Sequence, residues 1–467
     1  MALCVTQSYI ERMPNLFKLR PPGRTGARFG LSSSESRDPI GFAVAALNRL
    51  AQSELIDRVG LRKQAEQVVY SATRNGFRTA TAAGRAFSRQ GKRGADGVRV
   101  PVAKATGLFD LTPSEDEQML VGVVTEFAAD VIRPAASEAN EACAAPEELL
   151  AASLEIGLPI LGVPESLGGI SDERSAVAGA LVAEALAHGD MGLAVATLAP
   201  GAVATALGLW GTDEQQQTYL PAFTGDDVPA AALALSEPTV LFDVMTPATT
   251  ATRTDDGYSI TGVKSMVPRG AEAELFVVGA LLDGRPTLFL VESGGDSLQV
   301  EADPSMGVRA ASLATLTLTD AKAEVLGATD GTTYAECVRL SRLAWCALAV
   351  GTGQAVLDYV TPYVKQREAF GEPIAHRQSV AFMVANIAIE LQSMRLLTWR
   401  AASRAAQGKD IARDVALARN LCASKGMQIG LDGVQLLGGH GFVKEHPVER
   451  WYRDLRAIGF MEGGVLL

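Results

Sequence analysis

Cysteine and histidine are both scarce, with five and four copies in 467 residues. Cys4, Cys143, Cys337, Cys346 and Cys422 are scattered and include no CxxC pair, so a reducing compartment fits better than a disulfide framework. His440 and His446 make no zinc-type cluster, and a metal enzyme is not expected. Aromatic residues are too few, at 6%, to interleave with the basic ones, so nothing points to nucleic acid. No apolar run is read as reaching the length of a membrane span, which excludes an integral membrane protein. Nucleophile-elbow, Walker-loop and paired-carboxylate glycosidase signatures are missing too. What is there is a globular balance, 48% hydrophobic and 20% charged, over a length that predicts two or three subdomains.

Charge divides the chain in two. Residues 1–107 hold eighteen Lys and Arg against seven Asp and Glu, a net of +11, while the whole chain is −11. The remaining body therefore carries −22. The first fifty residues, with Pro21-Pro22-Gly23 and Ser32-Ser33-Ser34, read as disordered. Arg12, Lys18, Arg20, Arg24 and Arg28 give them the composition of an organelle transit peptide, against a simple solvated tail. Location is expected to be cytoplasmic, or the mitochondrial matrix if residues 1–35 are a transit peptide. From Ser53 to Arg93 the pattern is helical, and Arg74, Arg78, Arg85 and Arg89 share one basic face. That face suits peripheral contact with an anionic membrane, contact with the acidic body, or plain solvation.

The body opens on Thr112-Pro113-Ser114-Glu115, read as a cap, a first-turn proline and a capping-box acid. Helices are predicted behind it and over 146–156, 174–188 and 200–209. Short Thr-, Val- and Leu-rich runs from about 226 to 325, separated by turns such as Asp255-Asp256-Gly257, predict a β domain. Helices return after Gly331, with Met383, Ile387, Leu391 and Met394 marking an apolar stripe. Gly351-Thr352-Gly353 lacks the third glycine of a dinucleotide fingerprint and reads as a close helix-packing site.

Three segments carry chemistry. Arg367-Glu368-Ala369-Phe370-Gly371 ends a helix ahead of Gln378, so an arginine fork and an amide could hold a pyrophosphate and a polar ring. Gln435-Leu436-Leu437-Gly438-Gly439-His440-Gly441 has glycines that let a ligand approach backbone N–H groups. Arg453-Asp454-Leu455-Arg456 and Glu462-Gly463 follow near the end. Each alone is an ordinary helix end or a solvated residue.

In order and spacing these segments resemble the acyl-CoA dehydrogenase family, over roughly residues 110–467. Further matches are Val163-Pro164-Glu165 with Gly168-Gly169, Gly211-Thr212-Asp213-Glu214-Gln215, Ser236-Glu237-Pro238, Gly262-Val263-Lys264 and Pro447-Val448-Glu449-Arg450. The basic extension looks like those on some long-chain members. The resemblance implies a mainly α fold with a central β domain: an N-terminal helical domain (108–225), a middle β-barrel-like domain (226–330) and a C-terminal four-helix bundle (331–467), after the extension 1–107. It implies FAD-dependent α,β-dehydrogenation of an acyl-CoA thioester, with Glu462 as α-proton base and hydride transfer to flavin. Ser236, Arg367, Phe370, Gln378, Gln435, Gly438 and Gly439 match flavin-binding positions, partly across a dimer interface. An electron-transfer flavoprotein as acceptor and a homodimer or homotetramer follow by the same resemblance. Arg342 matches a family arginine near the base, with loop orientation and an internal salt bridge both open as its role.

The pattern also departs from the family. Leu241-Phe242-Asp243 replaces Gly-Ser-Asp, and Met266-Val267-Pro268 replaces an aromatic-Ile-Thr/Ser triplet whose hydroxyl faces the flavin. The family continues past the base with Gly-Thr and another helix, whereas here Gly463-Gly464 leads to Leu467; a base so placed is expected to be mobile. These departures leave two alternatives: a catalytically impaired homologue acting as an acyl-CoA-binding or oligomer-forming subunit, or an acyl-CoA oxidase.

Overall fold

A computed structural model describes residues 111, 113–169, 175–225 and 228–464. The basic arm of residues 1–107, its helix over Ser53–Arg93 and its membrane contact lie outside the described residues.

The first helix, α1 (Glu115–Phe127), starts two residues later than expected. Its N-cap is Ser114, whose hydroxyl accepts from Glu117 N–H while the Glu117 carboxylate accepts from Ser114 N–H. The sequence holds two overlapping capping frames. The one that forms puts Glu115, Asp116 and Glu117 all in the first turn, where the helix dipole favours them. A π-turn at Ala128–Ile132 leads into α2 (Arg133–Ala142), followed by α3 (Glu147–Glu155) and α4 (Ala176–Gly189). Then come α5 (Met191–Trp210) and α6 (Asp213–Tyr219).

Helix α5 corrects the expectation of a helix over 200–209. It begins nine residues earlier, on an Asp190 cap that accepts from Leu193 N–H, and runs straight through Pro200. Burial of nearly its whole first half outweighs the hydrogen bond the proline removes. It also corrects the reading of membrane-length runs. Among the described residues, α5, Thr332–Gln366 and Gln378–Ala406 are long and apolar enough to cross a membrane by length and composition. The run 191–210 carries no charged residue. In the fold about two-thirds of its most apolar window (67%) is buried inside the protein, against 17% for Gln378–Ala406.

The middle region is a closed sheet. Strands β1 (Ala231–Ala234), β2 (Thr250–Thr254), β3 (Gly257–Val267), β4 (Leu275–Leu282), β5 (Arg285–Glu292), β6 (Leu298–Ala302) and β7 (Ala314–Leu326) are ordered β1-β4-β2-β3-β7-β5. Pairing of β4 with β5 closes five of them into a ring, with β1 beside β4 and β6 beside β7. Closure removes the edges, and Ile260, Phe276, Val278, Phe289, Leu316 and Leu318 fill its core.

Helix α7 (Thr332–Gln366), a β-hairpin of β8 (Glu368–Ala369) and β9 (Glu372–Pro373), α8 (Gln378–Ala406), α9 (Ala412–Leu437) and the two-turn α10 (Val448–Leu455) follow. The long helices pack on one another, with Ile387, Leu391 and Met394 buried on α8 as the stripe predicts. Gly351 is a close-packing glycine: a Cβ there would lie 2.0 Å from the Glu184 carbonyl oxygen on α4. Beside it Thr352 Oγ1 donates to the Ala187 carbonyl at 3.2 Å. A buried polar staple ties three layers together. Asp190 pairs with Arg450 Nε at 2.9 Å, Asp454 accepts from Val308 N–H at 2.6 Å, and Arg453 reaches Met306 O and Asn140 Oδ1.

Candidate active site

Glu462 follows a short 3₁₀ turn, Arg456–Gly459, and holds a left-handed backbone at φ 50°. Six contacts fix the segment. Glu462 N–H donates to Ser236 Oγ at 3.2 Å, and its carbonyl accepts from Arg342 Nε at 3.1 Å and Nη2 at 2.6 Å. Arg419 Nη2 on α9 donates to the carbonyls of Met461 and Gly463. Gly464 N–H reaches Phe242 O at 3.1 Å. Three successive carbonyls are thus held by two guanidinium groups from two helices. The loop expected to be mobile is thus tied down by charged donors. Of the two roles open for Arg342, loop orientation is the one observed. Gly463, at φ 92°, is required: a Cβ would meet Phe242 O and Val244 N at 3.1 Å.

The Glu462 side chain is 6% exposed, and its Oε2 has no partner among the described residues. Burial pushes its carboxyl above the ordinary range, while the Arg419 charge, hydrogen bonds from Ser341 and Trp345, and the Arg342 charge pull back. The carboxylate faces a cavity of about 100 Å³ between the barrel and the helices. Its apolar walls are Val195, Leu198 and Ala199 of α5, Leu233 of β1, and Ala344, Trp345 and Leu348 of α7. Polar groups are few: Ser236, Ser265, Ser341 and Glu462.

The barrel wall is braced from behind. Lys264 is fully buried and bonds Glu237 Oε1 at 2.8 Å, and Glu237 also accepts from Ala248 N–H, Thr249 N–H and Thr249 Oγ1. Burial lowers the Lys264 ammonium to about 8 despite that partner. Ser265 N–H donates to Ser236 O at 3.0 Å, joining β3 to the segment beneath Glu462. Of the altered loop, Met266 (φ 54°) gives its N–H to Asp303, and Pro268 lines the cavity.

A second cavity, about 600 Å³, lies at the other end of the bundle. Arg367, Phe370, Gln435, Gly438 and Gly439 line it, together with Arg377, Tyr363 and His440. It shares no lining residue with the first. Phe370 is 96% exposed at φ 57°, with the Arg377 guanidinium 5.6 Å from its ring centroid. The sequence-predicted residues therefore fall into two groups, Ser236 with Glu462 and the rest at the second cavity. Gln378 joins neither lining; it is the exposed first residue of α8, between Arg377 and Ser379.

Together the two sites fit a flavin dinucleotide. An apolar slot with unpartnered hydroxyl and carboxylate atoms suits a planar ring with polar edges. Arginines beside exposed glycine backbone suit phosphates. Sequence reasoning missed Ser265, Ser341, Trp345 and Arg419. Arg419 carried a signal: with Val415, Cys422 and Gly426 it lies on the buried stripe of α9, where an arginine needs internal acceptors.

Comparison with known proteins bears on the family and the fold. Family models for the acyl-CoA dehydrogenase N-terminal, middle and C-terminal domains match residues 114–226, 232–321 and 330–464. A short-chain specific acyl-CoA dehydrogenase of Bos taurus is 32% identical over 75% of this chain and 87% of its own. A 3-(aryl)acrylate reductase of Clostridium sporogenes is 28% identical over 75% and 95%. The solved butyryl-CoA dehydrogenase of Megasphaera elsdenii superposes with a TM-score of 0.70 at 26% identity, covering 76% of this chain and 96% of that one. Two of these relatives are named for short-chain or butyryl-CoA substrates and none for long chains, so the long-chain expectation drawn from the basic extension gains nothing from them. A buried carboxylate over an apolar slot, beneath a closed sheet and against a helical bundle, together with three consecutive domain matches, places this chain in the acyl-CoA dehydrogenase family.

Proposed function

We propose that the chain oxidises the α,β carbon–carbon bond of a short-chain acyl-CoA thioester, with Glu462 as the base. One observation carries this reading: the buried Glu462 lines an apolar cavity, and its Oε2 has no partner among the described residues. An α-proton is weakly acidic, and a carboxylate raised by a dry site is matched to removing it. FAD, when bound, would supply the acceptor for the β-hydride. Glu462 Oε2 takes the α-proton and holds it until product leaves. Arg342, Arg419 and Ser236 fix the loop so that this oxygen stays in place, and Leu198, Trp345 and Leu348 exclude water. The short-chain relatives support a short acyl group.

Arg367, Phe370, Gln435, Gly438 and Gly439 would hold the dinucleotide end of FAD. Because they line a cavity separate from that of Glu462, a second copy of the chain is the natural source of the other half, and a homodimer or homotetramer follows. An electron-transfer flavoprotein is the acceptor that the family resemblance supports.

The test is anaerobic titration of the FAD-loaded protein with butyryl-CoA, followed by flavin absorbance, with palmitoyl-CoA in parallel. Bleaching by butyryl-CoA supports the reading. Glu462→Gln should retain flavin and bleach at least about a hundredfold more slowly; undiminished bleaching removes Glu462 from the base role. Rapid reoxidation by oxygen would instead favour an oxidase.

A further inference from the structure

Ser265 sits where β3 slips against β7. Their register shifts between Lys264 and Val267, and Met266 takes a positive φ of 54°. Successive side chains on a regular strand face opposite sides. Here the irregularity puts Ser265 and Met266 both on the first cavity, while Val267 stays in the barrel core. Lys264 meanwhile turns to Glu237. The Ser265 side chain is 5% exposed, and its Oγ meets no partner among the described residues.

A buried hydroxyl without a partner is costly, and native folds avoid it unless something else completes it. Among the described residues, the backbone of that loop offers the cavity no free donor. The Met266 N–H is engaged by Asp303 Oδ2 at 2.8 Å, Pro268 has no N–H, and the Ser265 N–H is engaged by Ser236 O. Beside it, Ser236 Oγ accepts from Glu462 N–H and retains its own hydrogen.

We propose that the Ser265 hydroxyl is a binding residue for the flavin ring, donating a hydrogen bond to a polar atom at the ring's edge. It thereby supplies from one strand position the contact that Pro268 cannot make. The assignment rests on the FAD reading above. A donor at that edge holds the ring in the slot and favours its electron-rich, reduced form.

The test compares wild type, Ser265→Ala and Ser265→Cys, each as apo-protein and with FAD. FAD affinity is read by titration, and ring environment by the visible absorption band. Ser265→Ala should weaken FAD about tenfold, the worth of one hydrogen bond, and shift the band. Ser265→Cys, a weak donor of similar size, should fall between. Apo Ser265→Ala should melt at or above apo wild type, because it removes an unpaired buried hydroxyl, while its stabilisation by FAD should be smaller. Unchanged FAD affinity with an unchanged band overturns the proposal. So does an apo variant that melts well below wild type, since the hydroxyl would then have a structural partner. If wild type itself binds no FAD, the flavin reading fails and takes this assignment with it.

Discussion

The two cavities are built on opposite plans. Around Glu462 the chain finishes its own site: three carbonyls are clamped, a glycine turn is backed by neighbouring backbone, and a buried ion pair braces the wall. At the second cavity the groups stand open, and Phe370 is almost wholly exposed. A proton-transfer centre loses rate steeply with small displacements, so its supports must be internal. A phosphate or adenosine contact tolerates more slack and can be supplied from outside the chain.

Breaking the clamp should therefore have the largest effect. Arg419→Met removes the grip on Met461 and Gly463 and the nearest charge on the Glu462 carboxylate. Flavin reduction by substrate should slow about a hundredfold at saturating FAD. Because that charge lowers the Glu462 pKa, its loss should move the acid limb of the rate–pH profile to higher pH. Arg419→Lys, keeping charge but not the two-carbonyl fork, should restore the limb more than the rate. An unshifted limb in Arg419→Met would show that Arg419 does not act on Glu462.

Sharpening the other side needs Arg367→Ala. Loss of one charge-assisted contact should weaken FAD by about ten- to a hundredfold, while reduction at saturating FAD stays near wild type. A matching drop in the reduction rate would mean that the two cavities are not separable.

The contrast also sets what was legible in the sequence. The open site is written in local pattern: Arg367 to Gly371 and Gln435 to Gly441 sit at helix ends, where turn residues and short spacing announce themselves. So does the capping box, although two overlapping frames, at Thr112 and Ser114, hid which would form. The closed site is written in long-range contacts. Nothing near Arg419 reveals that its acceptors lie at 461 and 463, and nothing near Ser265 reveals a bulge set by pairing with β7. Arg342 could be singled out, but its choice between loop and salt bridge had to await the fold. The start of α5 at Met191 was hidden for the same reason, since burial of its first half outweighs the local cost of Pro200.

Packing contrasts in the same way. Gly351→Ala forces α4 and α7 apart where a Cβ would sit 2.0 Å from the Glu184 carbonyl. Overpacking of this kind should cost about 1–3 kcal/mol in denaturant unfolding. Gly371→Ala, at the open end with nothing within 4 Å of its Cβ, meets no clash and is limited to the strain of its φ of 83°. Equal losses would erase the distinction between the two ends.

The smallest effect concerns the staple behind the closed site. Burial, then the neighbouring Asp190 charge, pushes the Asp454 carboxyl up to about 7, while Val308 N–H, Arg453 and Arg450 pull it down. Its folded value lies above the unfolded one, about 4. The native state then binds the proton more tightly, so this group's contribution is fully present below pH about 4 and is lost as pH rises through about 7. Asp454→Asn keeps an oxygen to accept from Val308 N–H but cannot titrate. The melting temperature of the variant, relative to wild type, should rise between pH 4 and pH 7.5. A difference that stays flat across that window would mean that Asp454 is already ionised in the native fold. The Arg450 and Arg453 charges would then outweigh its burial.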